Sequence, residues 1–196
     1  MGEPFQPTIS IVMATYRRPH TIHRTIAQIV AQTYPHWELI VVDNARSGDY
    51  HFDDPRIRVY RHALRASASY ARNQGIQHAT GELLCFFDDD DDMFPTYLER
   101  FVGAFEANPG AMLVRCGIYR GGDGAIRFNY ATPACCVRRE LATPTWISIS
   151  QHDQRYFGDI VAANGWSEER GEIVVIPEIL VRARSDPRGG LRRGRL

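Results

Sequence analysis

The sequence contains no lysine, so all 23 of its basic residues are arginine, and they balance 23 acidic residues to a formal net charge of +0. A neutral chain carries no global field to draw it to nucleic acid, and a compositional bias of the genome explains the arginines without invoking a site. No G-x-G-x-x-G and no P-loop pattern follows any apolar run, and ATYRRPH after the first run has no glycine. That absence excludes a dinucleotide-binding G-x-G-x-x-G turn and a phosphate-binding P-loop. No C-x-x-C pair occurs among Cys85, Cys116, Cys135 and Cys136, and no cysteine–histidine spacing suits a zinc site. These cysteines read as reduced thiols in a reducing compartment, with Cys85 packed in a core. The apolar runs LLCFF and EIVVIP are too short to span a bilayer, and MGEPFQP has no apolar leader region. The chain is therefore expected to be cytoplasmic.

What is present is a 196-residue chain, 44% hydrophobic, which suffices for one domain with a sizeable core. Short β-rich apolar runs predict strands over Thr8 to Ala14, Trp37 to Asp43, Arg56 to His62 and Glu82 to Asp88. Helical stripes fall between them. One follows Pro19, with Ile22, Ile26, Ile29 and Val30 on its apolar face. Another runs from Ser67 to a closing Gly81. A third carries Leu98, Phe101, Val102 and Phe105, and Asn108-Pro109-Gly110 stops it. Strand–helix alternation of this kind predicts an α/β domain with a Rossmann-like, mostly parallel central sheet flanked by helices. The second half is less regular. AMLVRCGIYR reads as a strand, YATPACCVRRELA as strand plus short helix, HDQRYFGDIVAANG as a helix and GEIVVIPEILVRAR as one or two strands. The division expected is an N-terminal arm (1–7), a regular first half (8–92), a less regular second half of the same domain (93–185) and a disordered Arg/Gly tail (186–196).

The strongest local signal is FFDDDDDMFP, Phe86 to Pro95, in which an apolar strand runs into five consecutive aspartates. In open α/β sheets, ligands bind beyond the carboxyl ends of strands. Adjacent carboxylates repel one another unless a cation or hydrogen bonds offset the charge, and hard cations such as Mg²⁺ and Mn²⁺ take carboxylate oxygens. In an extended segment residues i and i+2 point the same way, so Asp88 and Asp90 would converge on one ion. The plainer alternatives are a solvated acidic loop or a calcium site. An EF-hand is excluded, because Met93 stands where its loop needs glycine.

Several segments, in order, resemble the family 2 glycosyltransferases, which carry the GT-A fold. SIVMATYRRP resembles the first strand and its T-Y-x-R turn. HWELIVVDN resembles the second strand with its terminal aspartate, and DPRIRVYRH the third. ASYARNQGIQHATGELLCFFDDDDDMFP resembles the A-R-N-x-G helix, the G-E strand and the D-x-D turn. The resemblance is dense from Thr8 to Pro95. It implies that Thr15, Tyr16 and Arg18 of the T-Y-x-R turn and Asp43 contact the nucleotide, with Asn44 standing where the family has a second acid. It implies that Arg72 faces the donor diphosphate, that Asp88 and Asp89 belong to the donor site, and that Asp90, with Asp88, holds Mn²⁺ or Mg²⁺. Beyond Pro95 it thins. His152-Asp153 stands where the family has an E-D pair, which makes Asp153 the implied catalytic base. Where the family's last strand precedes a histidine near the metal, Arg184, Ser185 and Asp186 stand instead, leaving the ion fewer protein ligands or Asp186 as a substitute.

The implied activity is an inverting, hexosyltransferase-type transfer from a nucleotide-diphospho-sugar, UDP-linked as is commonest in the family, to an acceptor hydroxyl, as in cell-surface polysaccharide biosynthesis. The acceptor, whether glycan, lipid-linked sugar or small molecule, is not readable. A sugar nucleotidyltransferase would want a glycine-rich basic loop where ATYRRPH stands. A catalytically inactive nucleotide-sugar-binding module is the alternative from another class. The arginine tail reads as a disordered terminus in preference to a peripheral contact with anionic lipids at the inner membrane face.

Overall fold

A computed structural model describes residues 5–45, 50–62, 67–120, 124–129, 131–142 and 156–184. Strands β1 (Ile9–Thr15), β2 (Trp37–Asp43), β3 (Ile57–Arg61) and β4 (Leu83–Phe86) alternate with helices α1 (Pro19–Val30) and α2 (Ala68–His78). After the acidic turn come β5 (Asp92–Met93), α3 (Tyr97–Ala107), β6 (Leu113–Arg120), β7 (Ala125–Arg127), β8 (Cys135–Arg138), α4 (Tyr156–Asn164) and β9 (Ile173–Ala183). The nine described strands form one sheet in the order β3-β2-β1-β4-β8-β6-β9-β5, with β7 paired to β6. β1 to β4 run parallel. β8 is antiparallel to β4 and β6, and β9 is parallel to β6. The carboxyl ends of β1, β2, β3, β4, β6 and β9 therefore share one edge of the sheet.

Side chains alternate across this sheet with the period of two that a strand imposes. Ile9, Ile11, Met13, Leu39, Val41 and Cys85 pack with α1 and α3 through Ile22, Ile26, Ile29, Leu98, Phe101 and Phe105. Val12, Ile40, Val42, Leu84 and Phe86 pack on the other face with Ala71 and Ile76 of α2 and with Tyr156 and Phe157 of α4. The result is a three-layer α/β domain. All four cysteines are free and buried, and burial pushes their thiols up.

The structure corrects several boundaries. Val30 is 43% exposed, and Thr25 takes its place among the buried residues of α1. Gly81 does not close α2, which ends at His78 with Ala79 as its cap. Gly81 instead lies against β1, where an added Cβ would stand 2.5 Å from the Thr8 carbonyl oxygen. At that same end Glu38 accepts from the Ser10 hydroxyl at 2.6 Å and from the Thr80 amide at 2.6 Å, and it pairs with Arg58. GEIVVIPEILVRAR forms one strand, with irregular register opposite Arg115 to Ile118 near Pro177, as proline within a strand requires. β5 and β7 lie where no strand is expected from sequence. No described helix is long and apolar enough to cross a membrane. The 186–196 tail lies outside the described residues.

Candidate functional site

The carboxyl edge of the sheet carries the acidic turn. Asp88 lies two residues past the end of β4, and Asp89 and Asp90 form a turn closed by the Asp91 amide donating to the Asp88 carbonyl at 3.4 Å. The segment is not extended, so the side chains do not simply alternate. Asp88 accepts from Arg72 Nη2 at 2.6 Å. Asp89 accepts from the Thr15 hydroxyl at 2.6 Å and from Arg18 Nη1 at 2.9 Å. Asp90 accepts from the same Arg18 nitrogen at 2.5 Å. Three elements therefore meet on three successive carboxylates: the end of β1, the start of α1 and the buried Arg72 of α2.

The turn joining β1 to α1 is strained at one position. Arg17 has φ 54, in the left-handed region that disfavours a side chain. Its guanidinium lies 5.3 Å from the Tyr16 ring centroid. This backbone places Arg18 as the cap residue of α1, immediately before Pro19.

One polar stripe of α1, continued past its end by Gln32, holds the turn from beneath. Arg24 Nη2 donates to the Asp90 carbonyl at 2.9 Å. The Thr25 hydroxyl lies 3.0 and 3.1 Å from the Asp89 and Asp91 carbonyls, and donates to one at a time. Gln28 donates to Asp92 at 3.2 Å and accepts from the Met93 amide at 2.9 Å, and Gln32 bridges the Phe94 carbonyl and the Leu98 amide. From the other side Arg184 Nε donates to Asp92 at 2.6 Å, and the Arg184 amide donates to Asp91 at 3.1 Å. Sequence reasoning missed this cradle and gave Asp92 no role. Its signal was present in the i, i+4 spacing of Arg24 and Gln28, which shares a helix face, with Gln32 two residues past the end of α1.

The electrostatics follow from burial. Asp89 is pushed up to about 6 by desolvation, which the Thr15 hydroxyl and Arg18 only partly offset. Burial also raises Asp90, with Asp88 adding repulsion. Burial and the charges of Asp88 and Asp90 raise Asp91 well above the carboxylate range. Asp92 alone is lowered, because Arg184 and Gln28 outweigh its burial. Burial thus disfavours charge on Asp89, Asp90 and Asp91, and a hard cation, which suits carboxylate oxygens, would favour their ionised forms. Among the described residues no cluster of three or more Asp, Glu, His or Cys side chains is arranged to hold a metal. An ion here would take one or two carboxylates from the chain and its remaining ligands from water or phosphate, which is the habit of Mg²⁺.

Asp43 ends β2 beside Thr15, its register partner. It is fully buried; Oδ1 accepts from the Ala45 amide at 2.8 Å, and Oδ2 has no partner. Desolvation raises its pKa, and the charge of Arg61 opposes the rise. Asn44 turns to the α2 side, where its side chain donates to the Ser67 carbonyl at 3.2 Å. Thr15, Arg18, Asp43, Arg72 and Asp88 to Asp90 thus lie on one edge, with Tyr16 in the adjoining turn. His152, Asp153 and Asp186 lie outside the described residues.

The sequence matches the family description Glycosyl transferase family 2 over residues 10–160. It is 35% identical over 96 residues to the Escherichia coli UDP-Glc:alpha-D-GlcNAc-diphosphoundecaprenol beta-1,3-glucosyltransferase WfgD, a match covering 46% of this chain and 38% of that protein. The fold is similar to the mannosyltransferase PcManGT of Pyrobaculum calidifontis, solved with GDP-Man and Mn²⁺. The TM-score is 0.70 at 18% identity, covering 94% of this chain and 59% of that one. It is also similar to S. aureus TarS 1-349 in complex with UDP-GlcNAc, with a TM-score of 0.67 at 14% identity, covering 96% and 60%. The chain thus spans well under half the length of the E. coli relative and about three fifths of these structures.

Proposed function

The chain belongs to glycosyl transferase family 2, and from that premise we propose that it moves a sugar from a UDP-sugar to an acceptor hydroxyl with inversion. The observation that carries this reading is the meeting of Thr15, Arg18 and Arg72 on Asp88, Asp89 and Asp90 at the carboxyl edge of the sheet. That edge is where an α/β sheet receives a nucleotide.

Each residue has a task in this reading. Asp43 accepts a base N–H through Oδ2, its free oxygen. Uracil offers a single ring N–H to a single acceptor, which favours UDP over a base with two adjacent donors. Thr15, Tyr16 and Asp89 shape the nucleoside pocket. Arg18 and Arg72 fix the carboxylates and set positive charge beside the diphosphate. Asp90 and Asp88 would hold Mn²⁺ or Mg²⁺, which would supply stabilisation of negative charge on the diphosphate oxygens. Asp153 takes the proton of the acceptor hydroxyl as its oxygen attacks the anomeric carbon, while the bond to the UDP oxygen breaks on the opposite face. Residues 8–92 form the donor half and 93–185 the acceptor half of the domain.

The E. coli relative is named for a diphosphoundecaprenol-linked acceptor. That name supports a lipid-linked sugar as acceptor here, in synthesis of a surface polysaccharide at the cytoplasmic face of a membrane. UDP release from a panel of UDP-sugars with short-chain lipid-linked acceptors tests the reading. Release by the wild-type chain, abolished by Asp153→Asn while UDP still binds, is the expected result. UDP binding without release from any donor would identify a binding module instead.

A further inference from the structure

Five arginines lie around the acidic turn, and four of them have partners there. Arg18 donates to Asp89 and Asp90, Arg72 to Asp88, Arg24 to the Asp90 carbonyl and Arg184 to Asp92. The fifth is Arg120, the last residue of β6. Its register partner is Ala183, one residue before Arg184. It therefore stands on the same carboxyl edge, on the β9 side of the turn, across from Thr15 and Arg72. Its charge reaches Asp91. Its Nε, like Arg24 Nε and Arg72 Nη1, is closed to water and has no hydrogen-bond acceptor, but those two guanidiniums reach the turn through another nitrogen. Asp91 does not serve as that acceptor, and its Oδ1 takes the Arg184 amide instead.

A buried N–H of a charged group without an acceptor is costly, and folded proteins rarely leave one. Where one persists at a ligand-binding edge, a ligand oxygen is one acceptor that would satisfy it. A guanidinium offers a planar fork of donors that matches phosphate oxygens. We propose that Arg120 is a substrate-binding residue that receives a phosphate oxyanion from the β6–β9 side of the site. The proposal rests on the reading of this edge as a diphosphate site. The oxyanion has two possible sources, the donor diphosphate and a phosphate attached to the acceptor.

Calorimetric titration of the full chain with pyrophosphate, with UDP plus Mn²⁺ and with farnesyl diphosphate tests it, using Arg120→Ala and Arg120→Lys beside the wild type. The expected result is that the wild type binds pyrophosphate and that Arg120→Ala binds it on the order of 10- to 100-fold more weakly. Arg120→Lys, which keeps the charge and the stem but not the fork, should fall between them at an unchanged Tm. If the alanine variant proves unfolded, the lysine variant decides. A parallel loss for UDP assigns the donor as the source. Unchanged UDP with weakened farnesyl diphosphate assigns the acceptor. Folded variants that bind all three ligands as the wild type does overturn the proposal, as does a wild type that binds neither pyrophosphate nor farnesyl diphosphate while its UDP affinity ignores Arg120. A wild type that binds pyrophosphate through Arg120 but not UDP would instead defeat the UDP-donor reading and leave this one standing.

Discussion

Replacing Asp92 with alanine removes the acceptor shared by α1 and the end of β9. In the native fold this buried carboxylate takes Arg184 Nε at 2.6 Å and Gln28 Nε2 at 3.2 Å, with Arg24 Nε at 3.4 Å. A hydrogen bond to a charged group contributes about 1.5–3 kcal/mol. The arginines are 47% and 37% exposed, so water screens both and re-solvates them after the substitution. The net cost should be about 2 kcal/mol, with Asp92→Asn losing about half of that because its carbonyl still accepts from Arg184. Urea unfolding at pH 7.5 in EDTA measures both. The same substitution should loosen the β5–β9 seam, so the Phe94 amide, which donates to Leu180 at 3.0 Å, should exchange faster with solvent. An alanine variant within about 0.5 kcal/mol of the wild type, the ordinary range for a surface substitution, would refute the cradle as the support of the turn.

Three further outcomes follow from the same reasoning. Glu38 is half-buried, which raises its pKa, but the donors Ser10, Thr80 and Arg58 outweigh that and lower it overall; its stabilisation is complete above the unfolded value of about 4.3 and fades as pH falls through the lower folded value. Glu38→Gln should therefore lose stability at pH 7 and flatten the acid limb of the wild-type unfolding curve. Gly81→Ala should cost more than about 2 kcal/mol in urea unfolding, because the new Cβ meets the Thr8 carbonyl at 2.5 Å and the Ser10 amide nitrogen at 2.9 Å, both backbone atoms. Asp43→Ala should weaken UDP binding by roughly 10-fold or more with little change in Tm, since a buried carboxylate with a free oxygen contributes more to a ligand than to the fold.

The first half of the fold was legible because its strands are short, continuously apolar and separated by helices with a clear stripe. β2 runs from Trp37 to Asp43 as its hydrophobicity predicts, and Leu98, Phe101, Val102 and Phe105 are all buried. Periodicity misled at Val30, where the polar Thr25 is buried instead to meet the acidic turn. β5 and β7 escaped notice for another reason. Two or three residues carry no period, and only the partner strand defines them. The site was legible as a set of residues and not as a network. Asp88, Asp90 and Arg72 stand out in the motifs, but the turn's departure from extended geometry sends Asp88 to Arg72 and Asp90 to Arg18. Arg120 lies outside every motif, and only the register of β6 with β9 brings it to the turn.

The central claim is that the acidic turn and the strand ends around it form a metal-assisted nucleoside diphosphate site. Calorimetric titration of UDP into the wild type and Asp90→Ala, with Mn²⁺ and with EDTA, tests it most directly. Binding in Mn²⁺ that weakens at least about 10-fold in EDTA and is lost in a folded Asp90→Ala is the predicted result. Equal UDP affinity in the two proteins, or no UDP binding with Mn²⁺ present, would contradict it.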